Sequence, residues 1–240
     1  MPSFLVGFVL IWGAMFAVGE LDGGRVRFGL VGLAVTLAVA LAWERWAFGT
    51  PVSRALAELG FRRPERRGLV AGALIAGLFA LGYAAYSRWV HPLRLSPGWP
   101  WLLLGLLAYH GVCEEMAWRG YAFRRLRRGQ SFAAAVGFTM PLLALTHVPI
   151  VVTSGPAVGA AALVVAAVTC FPLAHLWELG GRTVWAPALV HAGIDLFKLV
   201  EAPSGDAALR FSLSLTAAAV ALPLLAFALR RRPTTEDGHQ

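Results

Sequence analysis

Long apolar runs alternate with short polar connections along the whole chain. A helix needs about 20 apolar residues to cross the hydrocarbon core of a bilayer. Eight runs approach or exceed that length. We predict spans at about 4–18, 28–47, 68–90, 101 to at least 115, 132–152, 158–179, 184–200 and 209–229. Apolar residues among the arginines of 51–67 predict one further, short amphipathic helix at the membrane surface.

Composition supports a membrane protein and excludes several other classes. Of the 240 residues, 58% are hydrophobic and 14% are charged, whereas a soluble domain carries about 25% charged residues. A soluble globule and a disordered chain are therefore excluded, and two cysteines, Cys113 and Cys170, are too few for a disulfide scaffold. We predict an all-α, polytopic membrane helical bundle of about eight transmembrane helices, forming one membrane-embedded domain over residues 1–240.

The basic residues predict how the bundle is oriented. With eight spans, alternate connections share a side, and 15 of the 21 basic residues fall on the side that also holds the chain ends. Basic residues mark cytoplasmic connections in membrane proteins. We therefore predict that both termini are cytoplasmic and that the protein is a multi-pass protein of a bacterial cytoplasmic (inner) membrane. The net charge of +8 has this explanation, so no nucleic-acid partner is predicted.

A few charged residues lie inside apolar runs instead of at their ends. Glu114 and Glu115 are adjacent and project about 100° apart on a helix. Glu115 precedes Arg119 by four residues, which is the favourable order for a helical ion pair. Glu114 has no such partner. A carboxylate at membrane depth costs about 3 kcal/mol or more, so we interpret Glu114 as a candidate general acid or base.

Histidines in later apolar runs add to this group. His191 and Asp195 are four residues apart and share a helix face. That spacing serves a carboxylate that orients an imidazole, two ligands of one metal ion, or a hydrogen-bonded pair between helices. His147 lies near the end of the fifth span, and alone it is more typical of a packing residue. Three further residues are predicted to be structural or supporting: His110, His175 and Glu178.

Three motifs in order resemble one known family. The first is EExxxR, which reads EEMAWR from Glu114 to Arg119 and continues as GYAFRRLRRG. The second is FxxxH, in which His147 is present but Leu143 replaces Phe. The third is a His followed four residues later by Asn or Asp, here His191 and Asp195. Together they resemble the CaaX-prenyl endopeptidases of the Rce1 type and their bacterial relatives, the CPBP (Abi) intramembrane proteases, over about residues 98–200.

The resemblance implies hydrolysis of a peptide bond within the membrane. By position in the motifs, Glu114 and His147 would activate a water molecule, and His191 and Asp195 would stabilise the oxyanion or hold the site together. Glu115 and Arg119 would support them. The substrate would be a peptide or protein with a membrane-associated segment, and the cleavage of a C-terminal tail is one such reaction. The sequence predicts no oligomeric state.

The cofactor requirement follows from the same motifs. The favoured mechanism uses glutamate and needs no cofactor. The alternative is a divalent zinc ion, for which Glu114, His147 and His191 are the candidate ligands. His147 presents a geometric difficulty, because in one straight helix it lies about 24 Å from Ser131, toward the outer half of the membrane. It meets Glu114 only if its helix starts late, tilts or is interrupted, and Pro141 is a place for a kink.

Two other functions remain open from the sequence. The replacement of Phe by Leu143 favours a catalytically inactive scaffold, or a bacteriocin-immunity-type protein with the same fold. A proton-coupled transporter would also use buried Glu and His residues, although the chain shows no two-fold repeat.

Overall fold

The computed structural model describes residues 2–21, 23 and 26–229 and is almost entirely helical over these ranges. No strand occurs among them, and Leu95 and Val200 form an isolated β-bridge. The α-helices are α1 (Pro2–Glu20), α2 (Gly29–Phe48), α3 (Val52–Glu58), α4 (Arg66–Trp89), α5 (Trp99–Leu106), α6 (Arg124–Arg127), α7 (Phe132–Thr146), α8 (Val148–Ser154), α9 (Pro156–Leu179), α10 (Trp185–Ile194) and α11 (Asp206–Ala221).

Six stretches are long and apolar enough to cross a membrane: Pro2–Glu20, Gly29–Phe48, Arg66–Trp89, Phe132–Ser154, Pro156–Leu179 and Asp206–Ala228. They confirm an all-α, polytopic membrane protein. The two other predicted spans differ, because residues 99–127 carry internal charges and α10 has only 10 residues. The count of eight and the cytoplasmic termini therefore remain predictions. Arg25 and Arg230–Arg232, which entered the charge count, lie outside the described residues.

The predicted fifth span is two helices that meet at His147. Helix α7 ends at Thr146, and α8 starts at Val148 with Pro149 in its first turn. A proline inside a helix kinks or breaks it, whereas the first turn of a helix tolerates proline, which is where Pro149 lies in α8. The interruption therefore lies at His147, and Pro141 stays inside α7.

Aromatic side chains fix α1 against residues 99–127, which run as one continuous helical stretch that we call the central helix. The rings of Phe4 and Tyr121 stack with their centroids 5.8 Å apart, and the Tyr121 hydroxyl donates to the Phe4 carbonyl at 3.1 Å. Phe8 packs against Trp118 in the same buried cluster. This packing holds the middle of the central helix inside the bundle.

Small residues let α10 approach both α4 and the central helix closely. A Cβ atom added to Gly72 of α4, or to Gly111 of the central helix, would meet the carbonyl of Ala186 or of Ala188, respectively. Such small residues allow close backbone approach between membrane helices. The sequence therefore places the helix that carries His191 directly against the helix that carries both glutamates.

The connections separate into two groups at opposite ends of the bundle. At one end, Val184 bonds Gly60 through the backbone, and Arg127 pairs with Glu178 at 2.9 Å. At the other, Trp101 donates to the Arg27 carbonyl at 3.1 Å, and Arg94 and Glu201 are joined by a backbone bond of 2.9 Å. The first group comprises the arginine-rich connections, as the alternation of charge predicts.

Candidate active site

Two π-helical segments flank the adjacent glutamates of the central helix. The first is Leu107–Cys113 and the second is Met116–Phe123. π-Helical turns are rare and occur frequently at functional sites. Glu114 and Glu115 therefore lie at a special point of the backbone, near the middle of the central helix, with side-chain exposures of 11% and 0%.

Glu115 forms the buried ion pair that the sequence predicts. Its Oε1 atom lies 2.8 Å from Nη1 of Arg119, and both side chains are almost fully buried. The same oxygen lies 2.7 Å from Nδ1 of His191. Glu115 thus joins the central helix to α10 and orients the His191 ring. The sequence analysis left open a role for Asp195 in that orientation, but Glu115 is the nearer carboxylate.

Glu114 is not the unpaired carboxylate that the sequence predicts. Its Oε1 atom lies 2.6 Å from Nδ1 of His110, one turn earlier on the central helix. Its Oε2 atom accepts from Nε1 of Trp118 at 3.4 Å and lies 3.6 Å from Nε2 of His191. Glu114 therefore faces two imidazoles, which stabilise a buried carboxylate through charge and hydrogen bonds.

Asp195 completes the group from the end of α10. Helix α10 stops at Ile194 and a 3₁₀ turn begins at Asp195, so the seventh span is not regular through this residue. Its Oδ2 atom lies 3.2 Å from Nδ1 of His110 and 4.0 Å from Nε2 of His191. His110 is therefore the closer partner of Asp195, although the sequence pairs Asp195 with His191.

His147 lies at the edge of this group. Its Nδ1 atom is 2.9 Å from the Leu143 carbonyl and 3.4 Å from the Thr146 hydroxyl. It interacts electrostatically with Glu114, but none of the hydrogen bonds of the described residues joins the two. The interruption between α7 and α8 leaves His147 at a helix end and half-buried.

Comparison with known proteins agrees with the motifs and the geometry. Residues 96–197 match the family model described as type II CAAX prenyl endopeptidase Rce1-like. They form an Rce1-like domain. The matched range includes every residue of the cluster and nearly coincides with the 98–200 stretch that carries the resemblance. No curated protein matches the chain.

Residues 96–197 are therefore similar to the CAAX-type prenyl endopeptidases that this family model describes. The site is nearly buried yet accessible, since 14%, 17% and 15% of the side chains of His110, His191 and Asp195 are exposed. Three carboxylates meet one guanidinium and two imidazoles.

The residues of the Rce1-like domain that lie in the right positions for a metal differ from those predicted. His110, His191 and Asp195 each offer a ligand atom, and these atoms lie within 4.8 Å of one another. Of the predicted ligands, only His191 belongs to this set. Glu114 adjoins it through His110 and His191, whereas His147 has no such contact among the described residues.

His110 is predicted to be structural or supporting, and in the structure it contacts both Glu114 and Asp195. Its spacing from Glu114 already placed both on one helix face, but it lies outside the three motifs. Its contact with Asp195 joins residues 85 positions apart and has no local signal. His175 and Glu178, by contrast, bond the Leu229 carbonyl and Arg127, away from this cluster, as structural residues would.

Proposed function

We propose that the chain is an intramembrane endopeptidase in which Glu114 is the general base that activates water. The observation that supports this most directly is the position of Glu114 between His110 and His191, near the middle of the central helix. A general base needs an ionised carboxylate next to the reacting water. Both imidazoles favour that ionised state, although apolar helices surround the site.

His147 is the proposed second member of the water-activating pair. Its Nδ1–H donates to the Leu143 carbonyl at 2.9 Å, which leaves Nε2 unprotonated in the neutral ring and free to accept a proton. The acceptor is a backbone atom, so the replacement of Phe by Leu143 keeps this bond. That replacement therefore gives little support to an inactive scaffold.

His191 is the proposed donor to the oxyanion that forms when water attacks the peptide carbonyl. Because Nδ1 of His191 is bonded to Glu115, Nε2 is the atom that faces Glu114 and Asp195. Two carboxylates beside Nε2 favour a protonated ring. A preformed N–H donor in a low-dielectric site stabilises a developing negative charge.

His110 and Asp195 are proposed positioning residues in this mechanism. The Nδ1 atom of His110 lies between the carboxylates of Glu114 and Asp195, so a single N–H separates two negative groups. We propose that the reaction needs no metal ion, because Glu114 and His147 would activate the water and His191 would supply the N–H donor for the oxyanion.

The proposed substrate is a membrane-presented peptide or protein tail. This proposal is tested by comparing new protein termini in the membrane and secreted fractions of cells that express the wild type or Glu114→Gln. We expect a set of termini that needs Glu114 and survives in Glu201→Gln, which changes an exposed glutamate outside the site. Identical termini in all three strains would contradict the proposal and favour the scaffold.

A further inference from the structure

A pocket of about 330 Å³ lies at the arginine-rich end of the bundle, away from the catalytic cluster. Its volume is within the range of small-molecule sites. The wall combines α3, the end of the central helix and the connection before α10. Six arginines line it: Arg54, Arg62, Arg124, Arg127, Arg128 and Arg182.

The acidic residues near the pocket are fewer than its arginines. Glu58 is the one acidic residue on the described part of the wall, and it contacts Arg54 at 2.8 Å, Arg128 at 3.2 Å and Arg124. Burial raises the pKa of Glu58, but a hydrogen bond from Arg54 and the three guanidinium charges hold it below its usual value. Glu58 is thus ionised at neutral pH, and a net positive charge remains.

Trp177 adds a buried donor to the same pocket. It lines the wall with only 1% of its surface exposed, and its indole Nε1 has no hydrogen-bond partner among the described residues. Indole and guanidinium groups donate hydrogen bonds and accept none. Glu58 and Glu178 accept from several of the wall's arginines, but the indole N–H of Trp177 has no acceptor among the described residues, and a buried donor without an acceptor is unfavourable.

We propose that this pocket binds a phosphate group. Phosphate oxygens accept several hydrogen bonds at once, and arginine binds phosphate through two parallel bonds. The group comes either from inorganic phosphate or from the headgroup of an anionic phospholipid, since basic pockets at the cytoplasmic ends of membrane helices bind such headgroups. The site is separate from the proposed proteolysis and does not depend on it.

A bound phosphate would join the connections that form the wall. Arg62 follows α3, Arg124 lies at the end of the central helix and Arg182 precedes α10. The central helix carries Glu114 and α10 carries His191. A bound phosphate would therefore stabilise the packing of these two helices. This predicts a measurable rise in stability when the pocket is filled.

The test measures the melting temperature of the purified full chain with two probes. Inorganic phosphate is titrated in detergent at constant ionic strength. Separately, the protein is placed in nanodiscs with increasing phosphatidylglycerol in phosphatidylcholine. We expect a saturable rise in melting temperature with at least one probe. A rise with inorganic phosphate identifies a free anion as a sufficient ligand, and a rise with phosphatidylglycerol alone identifies the lipid.

Matched variants separate a defined site from general charge attraction. Arg62→Gln and Arg63→Gln remove the same charge from adjacent exposed residues, but only Arg62 lines the pocket. Arg62→Gln should weaken the apparent affinity about tenfold, and Arg63→Gln should not. Trp177→Phe removes the N–H and keeps a ring, and it should also weaken binding; if it does not fold, the arginine pair decides. No saturable rise with either probe, or equal effects of both arginine variants, would overturn the proposal.

Discussion

Nδ1 of His110 lies 2.6 Å from Oε1 of Glu114 and 3.2 Å from Oδ2 of Asp195. One imidazole therefore holds two carboxylates that come from different helices. Two neighbouring carboxylates among apolar helices are costly, and a hydrogen-bond donor between them lowers that cost. The arrangement makes His110 central to the proposed base, although it lies outside the family motifs.

His110→Phe should slow cleavage by roughly 10–100-fold, the loss expected for one hydrogen bond to a charged group. The ring remains, so packing is largely kept. The decisive readout is the pH dependence of the rate, which should change because the hydrogen bond between His110 and Glu114 is gone. His91→Phe, in a connection away from the site, should change neither quantity. An unchanged pH profile in His110→Phe would assign it a merely structural role.

Asp195→Asn should keep most of the activity, while Asp195→Ala should lose about 10–100-fold, because it removes the hydrogen bond that positions His110. An asparagine amide still accepts a hydrogen bond from His110 and adds a donor beside the proposed oxyanion. Alanine offers neither. Initial rates of both variants, at equal amounts of folded protein, test this difference. Equal losses in the two variants would show that the negative charge of Asp195 is itself required.

Arg119→Met should destabilise the fold by about 3–5 kcal/mol, because it leaves Glu115 buried without its cation. The chain provides a matched comparison. Arg54 and Glu58 form the same type of pair with the same 2.8 Å separation, but the Arg54 side chain is 71% exposed. Arg54→Met should cost less than about 1 kcal/mol. Unfolding in detergent measures the free energy of unfolding of both variants. Similar losses in the two would contradict the assignment of Glu115–Arg119 as a buried structural pair.

Removal of divalent metals should leave the cleavage rate unchanged. In the proposed mechanism Glu114 and His147 activate water directly, and the positive charges come from side chains. The protein is dialysed against a zinc chelator and assayed beside a zinc endopeptidase treated identically. Loss of activity that added zinc restores would instead support a metal held by His110, His191 and Asp195, whose ligand atoms are suitably close.

The fold was largely predictable from hydropathy, because lipid requires long apolar helices whose backbone bonds are internal. The six long spans follow the apolar runs closely. The prediction was less complete where the site lies. The central helix carries charges, α10 is short, and the fifth span is interrupted at His147. The polar residues and helix ends of the candidate site lie where a simple span would be apolar and regular.

The cluster was predictable in part: Glu114, His191 and Asp195 lie together, whereas His147 lies at the edge and the contacts between helices were not predicted. The spacing of Glu115 and Arg119 gave their ion pair, since both lie on one helix. Contacts between helices depend on rotation and depth, which no local pattern specifies. That is why Glu115, not Asp195, orients His191, and why the contact of His110 with Asp195 had no signal in the sequence.

The proposed role of Glu114 is tested most directly by an initial cleavage rate. The protein is placed in proteoliposomes, and the substrate is a peptide found by the comparison of protein termini described above. The rates of wild type, Glu114→Gln and Glu201→Gln are compared after their melting temperatures have been shown to be equal. We predict that Glu114→Gln lowers the rate by about 10²–10⁴-fold, as expected for loss of a general base, and that Glu201→Gln has no effect. Cleavage by Glu114→Gln at the wild-type rate would contradict the account.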